Sequence, residues 1–207
     1  QEARFSMDAD SLRVVLQREA RIEAFSLRSI STGMLSTTSG SQGIKVNGIT
    51  PAAEQNTRHL GNFVRSGAYL EDTSARNPVL VSTKLAEKLK LKTGNKIVLT
   101  LLDTAGTITA GAFRITGLYQ TENAPLDELN VFVRKPDLDR LLGTAGRAHE
   151  AALLLHDDAD LNAVFAAITQ VFPHLEVKRW QDLSPETALV LSSLDTYALI
   201  FMAIILL

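Results

Sequence analysis

Residues able to do chemistry are few and scattered in this chain of 207 residues. The four histidines, His59, His149, His156 and His174, lie far apart in sequence and read as ordinary surface or strand-end residues rather than ligands or bases. His149-Glu150 opens like a zinc-peptidase helix, but the position four after His149 is Leu153, so the second metal ligand is missing. Asp157, Asp158 and Asp160 lack the spacing of a calcium loop, and helix capping accounts for them. Glu122, Asp127 and Glu128 share one acidic loop with no matched base or nucleophile beside it, which reads as a solvated loop. Thr93-Gly94-Asn95-Lys96 lacks the preceding spacing of a phosphate-binding loop, and Ser36 to Gly43 reads as a flexible turn between two strands. No G-x-S-x-G elbow occurs. Cysteine is absent, which removes disulfides, thiolate metal sites and cysteine nucleophiles together. The expectation is a chain with no catalytic residues and no metal or cofactor of its own.

Composition agrees with a packed globule: 45% of residues are hydrophobic and 21% charged. The net charge is −2 with both signs scattered, so no basic block exists to grip phosphates and nucleic acid is not an expected partner. The chain opens on Gln1 rather than Met and is read as a processed product or a piece of a longer protein. Arg4 and Asp8 interrupt any apolar run near the start, so no signal peptide leads it.

The elements that would carry these residues fall into two sets. ARFSM (3–7), DADSLRVVLQREA (8–20) and RIEAFSL (21–27) read as strand, helix, strand, with Leu12, Val15 and Leu16 on one helical face. AALLLH (151–156), DDADLNAVFAAITQVF (157–172) and LEVKRW (175–180) read the same way. Here Leu161, Val164, Phe165, Ile168 and Phe172 form the apolar stripe, Asp157 or Asp158 is the cap, and Pro173 closes the helix. Two βαβ units of this kind commonly pack as one α+β layer. The middle is an insertion rich in strands. IKVNGI (44–49), KIVLTLL (96–102), residues 107–119 and NVFVRK (130–135) are strands; Ser82 to Leu91 and Pro136 to Leu142 are helices. Ser82 caps the first of these, Gly94 lies just past its end, and Gly111 marks a bulge.

The chain stops on YALIFMAIILL, eleven nearly all apolar residues from Tyr197 to Leu207. A bilayer span needs about 20 such residues. The run has no polar face after Tyr197, so the pattern favours a membrane helix cut short over a helix buried in a core.

Several segments resemble one family in order along the chain. Gly48-Ile-Thr-Pro-Ala-Ala-Glu54 resembles its "G-I/V-D/T-P-x-x-E" segment and Gly67-Ala-Tyr-Leu70 its "G-R-Y-L". Val79 to Leu89 followed by Leu91 to Val98 is similar to its strand, helix and "V-K-x-G-D-x-V" turn. Phe113-Arg-Ile-Thr-Gly117-Leu resembles "F-x-V-x-G-I", and Leu175 to Trp180 followed by the apolar run resembles its entry into the membrane. The family is that of the extracytoplasmic domains of ABC transporter permeases of the MacB/LolC-LolE/FtsX type.

The resemblance implies a two-lobed α+β fold. Residues 1–43 and 147–185 would form a porter-like βαβ subdomain, 44–146 an inserted β-rich sabre-like subdomain, and 186–207 a helix leading into a truncated transmembrane segment, with Tyr197, Leu199, Ile200, Phe201, Ile204 and Leu207 in the membrane. It implies a non-catalytic domain on the periplasmic or extracytoplasmic side of a bacterial inner membrane. That domain would couple cytoplasmic ATP hydrolysis to movement of a lipoprotein, amphiphile or other substrate. The implied partners are an ABC ATPase subunit, reached through the transmembrane helices, a second permease copy and an extracytoplasmic protein or lipoprotein. Glu122, Pro125, Leu126 and Asp127 are the residues named for that last contact. Two alternatives stay open: a regulator that transmits movement to an extracytoplasmic enzyme, and a free-standing soluble binding domain.

Overall fold

Asp8 accepts a hydrogen bond from the Ser11 amide at 2.8 Å and so caps the first helix. The computed structural model describes residues 7–71 and 75–183, in a chain of two compact units, Gln1–Leu154 and Leu155–Leu207. In the first unit β1 (Met7–Asp8) leads into α1 (Ala9–Arg18), which buries Leu12 and Leu16 and half-buries Val15, as the spacing predicts. β2 (Ile22–Thr37) and β3 (Gly40–Ile49) form a long hairpin, paired from Ser29 with Gly48 to Thr37 with Gly40. The turn predicted over Ser36 to Gly43 therefore narrows to Thr38-Ser39, because the ladder continues through the polar residues on both sides. The boundary drawn at 43/44 falls inside β3.

Next come α2 (Pro51–Arg58), a 3₁₀ turn (Leu60–Phe63), β4 (Val64–Gly67) and β5 (Pro78–Ser82). α3 (Thr83–Lys88) is capped by Ser82, whose hydroxyl accepts from the Leu85 amide at 3.1 Å. β6 (Lys96–Leu102) and β7 (Ile108–Tyr119) follow, joined at Asp103, whose side chain accepts from the amides of Ala105 and Thr107 at 2.9 and 2.8 Å. α4 (Ala124–Leu129), β8 (Asn130–Arg134), α5 (Lys135–Leu142), β9 (Arg147–Ala148) and β10 (Glu150–Leu155) complete this part of the chain.

The pairing forms a closed ring. β2 pairs with β3, β3 with β8, β8 with β5, β5 with β7, β7 with β6, and β6 returns to the second half of β2. Closure satisfies edges that an open sheet would leave unpaired. β10 adds to β2 outside this ring and β4 adds to β7. Leu35, Val46, Leu99, Ile115, Val131 and Val133 fill the interior, with Leu85 of α3 and Leu138 of α5 in the same core. β5 and β8 are covered on both faces, since Leu80 and Phe132 join a second cluster around Tyr119. Tyr119 meets Phe132 edge-on at 5.2 Å, and its hydroxyl donates to the Asn130 carbonyl at 2.8 Å.

In β7, Phe113, Ile115, Gly117 and Tyr119 share the buried face, as the alternation predicts. The bulge does not fall at Gly111, which pairs in unbroken register with Leu99. A Cβ on Gly111 would lie 2.9 Å from Leu141, so close packing explains this glycine. The register against β5 shifts instead at Thr116, since Val79 pairs with Ile115 and Leu80 with Gly117.

In the second unit Asp157 accepts from the Ala159 amide at 2.8 Å and caps a 3₁₀ turn (Asp158–Asp160) that runs into α6 (Leu161–Val171). The capping role holds for Asp157 alone, and on the 3₁₀ turn; Asp160 stands at the N-cap of α6 without a side-chain capping bond. Arg179 stacks over Phe165 at 5.3 Å and donates to Asn162 at 3.3 Å. The strand predicted over 175–180 is absent: these residues alternate in exposure, but no described strand pairs with them, and Trp180 instead begins the short helix α7 (Trp180–Leu183).

Candidate functional site

The most heavily built polar feature lies on β2, over Ser26 to Ile30. Arg28 is 3% exposed. Its Nη2 donates to Glu54 Oε1 at 2.7 Å and its Nε to Glu54 Oε2 at 2.9 Å, while Nη1 donates to Glu150 Oε1 at 2.6 Å. Ser26 Oγ donates to Glu54 Oε2 at 2.7 Å. Glu54 is fully buried on α2, and Glu150 opens β10 with its side chain 41% exposed. A guanidinium fork meeting a carboxylate edge-on is the strongest form of this pairing.

On the neighbouring position of β2, Ser29 Oγ donates to Asp139 Oδ1 of α5. Asp139 Oδ2 receives Lys135 Nζ at 2.6 Å, and the same ammonium reaches the Arg147 carbonyl at 2.6 Å. The His149 amide donates to the Arg28 carbonyl at 2.8 Å, and the Ile30 amide donates to His149 Nδ1 at 3.3 Å. Four residues of one strand, Ser26, Arg28, Ser29 and Ile30, are thus fastened to α2, α5 and the chain leading into β10.

The electrostatics are those of a clamp rather than a reactive centre. Burial alone would raise the pKa of Glu150, but the charge and hydrogen bond of Arg28, aided by Lys45 and Arg58, hold it below its ordinary value. Burial, reinforced by Glu54 and Glu71, raises the phenol of Tyr69, whose hydroxyl donates to the Pro51 carbonyl at 3.1 Å. Every carboxylate oxygen of Glu54 is engaged by a donor, which leaves none to act as a base. Among the described residues no group of three histidine, aspartate or glutamate side chains could hold a metal ion.

Sequence reasoning did not find Arg28 or Glu150, which lie 26 and 122 residues from Glu54 and from Arg28 respectively. One signal was present: Glu54 ends the Gly48 to Glu54 segment, and the structure gives that segment its physical sense. Gly48 admits no side chain, because a Cβ would come within 2.9 Å of Leu138. Pro51 occupies the first turn of α2, and Glu54 reaches back to β2.

The four residues named for a partner contact lie on and just before α4. Glu122 and Pro125 are exposed, Leu126 is half-buried and Asp127 is buried. Asp127 accepts from the Thr121 hydroxyl at 2.8 Å and the Thr121 amide at 3.0 Å, and its carbonyl accepts from Ser82 Oγ. The loop predicted here is therefore a helix, closed on itself by a buried carboxylate. Glu128 pairs with Lys84 at 3.2 Å. The membrane residues Tyr197, Leu199, Ile200, Phe201, Ile204 and Leu207 lie outside the described residues. No helix among the described residues is long and apolar enough to cross a membrane.

A family model described as the MacB-like periplasmic core domain matches residues 2–171. Among solved structures, the extracellular domain of the ABC-type transporter YknZ from Gram-positive bacteria is similar, with a TM-score of 0.58 and 15% identity over 77% of this chain and 79% of that one. The periplasmic region of MacB from Actinobacillus actinomycetemcomitans is similar with a TM-score of 0.57 and 12% identity over 81% of this chain and 75% of that one. At these identities the two structures speak for the fold. A search among curated proteins finds no match.

Proposed function

The chain belongs to the family of MacB-like periplasmic core domains, and we propose from that premise that it is a non-catalytic extracytoplasmic part of an ABC transporter permease, built to pass movement from the membrane to a substrate or partner. ATP would be hydrolysed by a separate cytoplasmic subunit or domain, in keeping with the lack of any G-x-x-x-x-G-K-[S/T] loop in the sequence. The ATPase would be reached through the transmembrane helices of such a permease. Two permease copies open and close around a substrate, or press on an extracytoplasmic protein or lipoprotein, as the ATPase cycles.

The observation that supports this reading is the fastening of β2. A sixteen-residue strand carries the buried Arg28 clamp near its middle and pairs with the closed ring over its second half. Displacing such a strand by a fraction of its length breaks charged hydrogen bonds together rather than one at a time, so movement at one end is delivered to the other. The chemistry of the cluster is spent on holding shape.

The test is reconstitution of the full-length permease in lipid with its ABC ATPase. Coupling requires that the two copurify and that the permease changes the ATPase rate. Copurification of neither partner, or an ATPase rate indifferent to the permease, would falsify the reading.

A further inference from the structure

The outer face of the β6–β7 ribbon is uncharged along most of its length and cationic at one end. Register places Lys96 beside Arg114, Val98 beside Ala112, Thr100 beside Ala110 and Leu102 beside Ile108. The residues between them, Ile97, Leu99, Leu101 and Phe113, point into the core. β2 widens the face, with Met34 beside Thr100 and Ser36 beside Val98. Met34, Val98, Leu102 and Ile108 are 43%, 42%, 59% and 72% exposed, and they are four of the eight large exposed hydrophobic residues among those described. Apolar residues exposed singly need no explanation, but a contiguous group marks a binding surface.

At the charged end Arg76, Asn77, Lys96, Ala112, Phe113 and Arg114 line a surface pocket of about 440 Å³. Among the described residues no carboxylate lines it or pairs with Arg76, Lys96 or Arg114. Its wall is held in place: the Arg114 amide donates to the Asn77 carbonyl at 2.9 Å, Asn77 Nδ2 donates to the Ala112 carbonyl at 3.1 Å, and Arg114 Nη1 donates to the Gly94 carbonyl at 3.0 Å.

We infer that this face binds a single anionic amphiphile, with its oxyanion head in the pocket and its aliphatic chain along the uncharged rows toward Leu102 and Ile108. This inference rests on the transporter reading above and gives its substrate a chemical class. Charge complementarity places the head, since three cations line the pocket with no anion beside them among the described residues. The six residue steps from Lys96 to Leu102 span about 20 Å, the scale of a long aliphatic chain. A bilayer surface would instead meet cations ranged around an apolar patch, in the plane of the headgroups. Here they stand at one end of it, as one head and one chain require.

Isothermal titration of the 207-residue chain with monooleoyl phosphatidic acid, kept below its micelle concentration, tests this. Inorganic phosphate, uncharged monoolein and phosphatidylglycerol vesicles are the comparisons. Saturable binding of one phosphatidic acid molecule per chain is expected. Arg76→Gln with Lys96→Gln should weaken it about tenfold or more, and Leu102→Asn with Ile108→Asn should do the same. All four side chains are exposed, so thermal melts of both double variants should match the parent. Absence of saturable binding overturns the inference, as does unchanged affinity in either double variant. Inorganic phosphate bound as tightly would show a free-anion site, and vesicle capture without monomer binding would show a membrane contact; either result also overturns it. ATPase modulation in lipid needs no added amphiphile, so failure here with that modulation intact removes only the amphiphile.

Discussion

Arg28 on β2 and Glu54 on α2 form a two-pronged ion pair, at 2.7 and 2.9 Å, with both side chains almost wholly out of solvent. Buried charges of this kind contribute little when complete and cost much when broken, because the survivor is left in a medium that cannot solvate it. Arg28→Met should therefore destabilise the chain by about 3–5 kcal/mol. The double variant Arg28→Met, Glu54→Leu should regain most of that loss. Urea unfolding of the three proteins checks this, and a single variant within experimental error of the parent would show that the pair is not buried as described.

Glu150 gives the same cluster a pH dependence. Its pKa is held below 4.5, against its own burial, by Arg28 and the nearby cations. A carboxylate depressed on folding adds stability that is fully present above its unfolded pKa and is lost as the pH falls through the folded one. Glu150→Gln should thus be less stable than the parent at neutral pH, and the difference should shrink as the pH drops below 4.5. Urea midpoints measured across that range would settle it; a difference that grows on acidification would reverse the assignment.

The sequence made the regular parts of the barrel legible and left the clamp hidden. β6 and β7 were readable because one face of each alternates strictly with the other, and α3 because Ser82 and Gly94 bracket it. β2 was readable only over its first residues, since its buried positions include Ser26, Arg28, Ser29 and Ser31, which no hydrophobic alternation marks. α2 has eight residues, and its buried one is Glu54, so it shows no apolar stripe. α4 is a six-residue helix with Pro125 in its first turn, too short for a period to register. Residues 175–179 show the reverse error: they alternate as a strand does, but a strand needs a partner ladder, and alternation alone does not supply one.

Glycine positions offer a sharper contrast. A methyl on Gly48 would sit 2.9 and 3.0 Å from two atoms of Leu138 and 3.3 Å from the Lys135 Cα. Gly48→Ala should cost about 1–3 kcal/mol by forcing α5 away from β3. Gly43, on the same strand, has nothing within 4 Å of its added Cβ, and Gly43→Ala should be neutral or gain about 0.5 kcal/mol. Thermal melts of the two proteins compare them directly; equal Tm values would contradict the packing of α5.

Asp127 should prove structural before anything else. Asp127→Ala leaves the Thr121 amide without its acceptor and should cost about 1–3 kcal/mol. Glu122→Ala and Pro125→Ala, both at exposed positions, should leave stability within about 0.5 kcal/mol of the parent. Any partner contact on α4 is therefore best probed through those two side chains, by binding measured on folded variants.

The proposal that ATP-driven movement reaches this domain has one direct reading. These 207 residues hold no cysteine; with any cysteine elsewhere in the permease and its ATPase replaced, a single spin label is placed at Ser39, at the exposed tip of the β2–β3 hairpin, in each of two permease copies. Pulsed dipolar spectroscopy of the permease and its ATPase in lipid then compares nucleotide-free, ATP-bound and vanadate-trapped states. The account predicts that the label-to-label distance changes with the nucleotide state, and that the change disappears when the ATPase is inactivated. A distance distribution that stays the same through the whole cycle, in a complex that hydrolyses ATP, would contradict it.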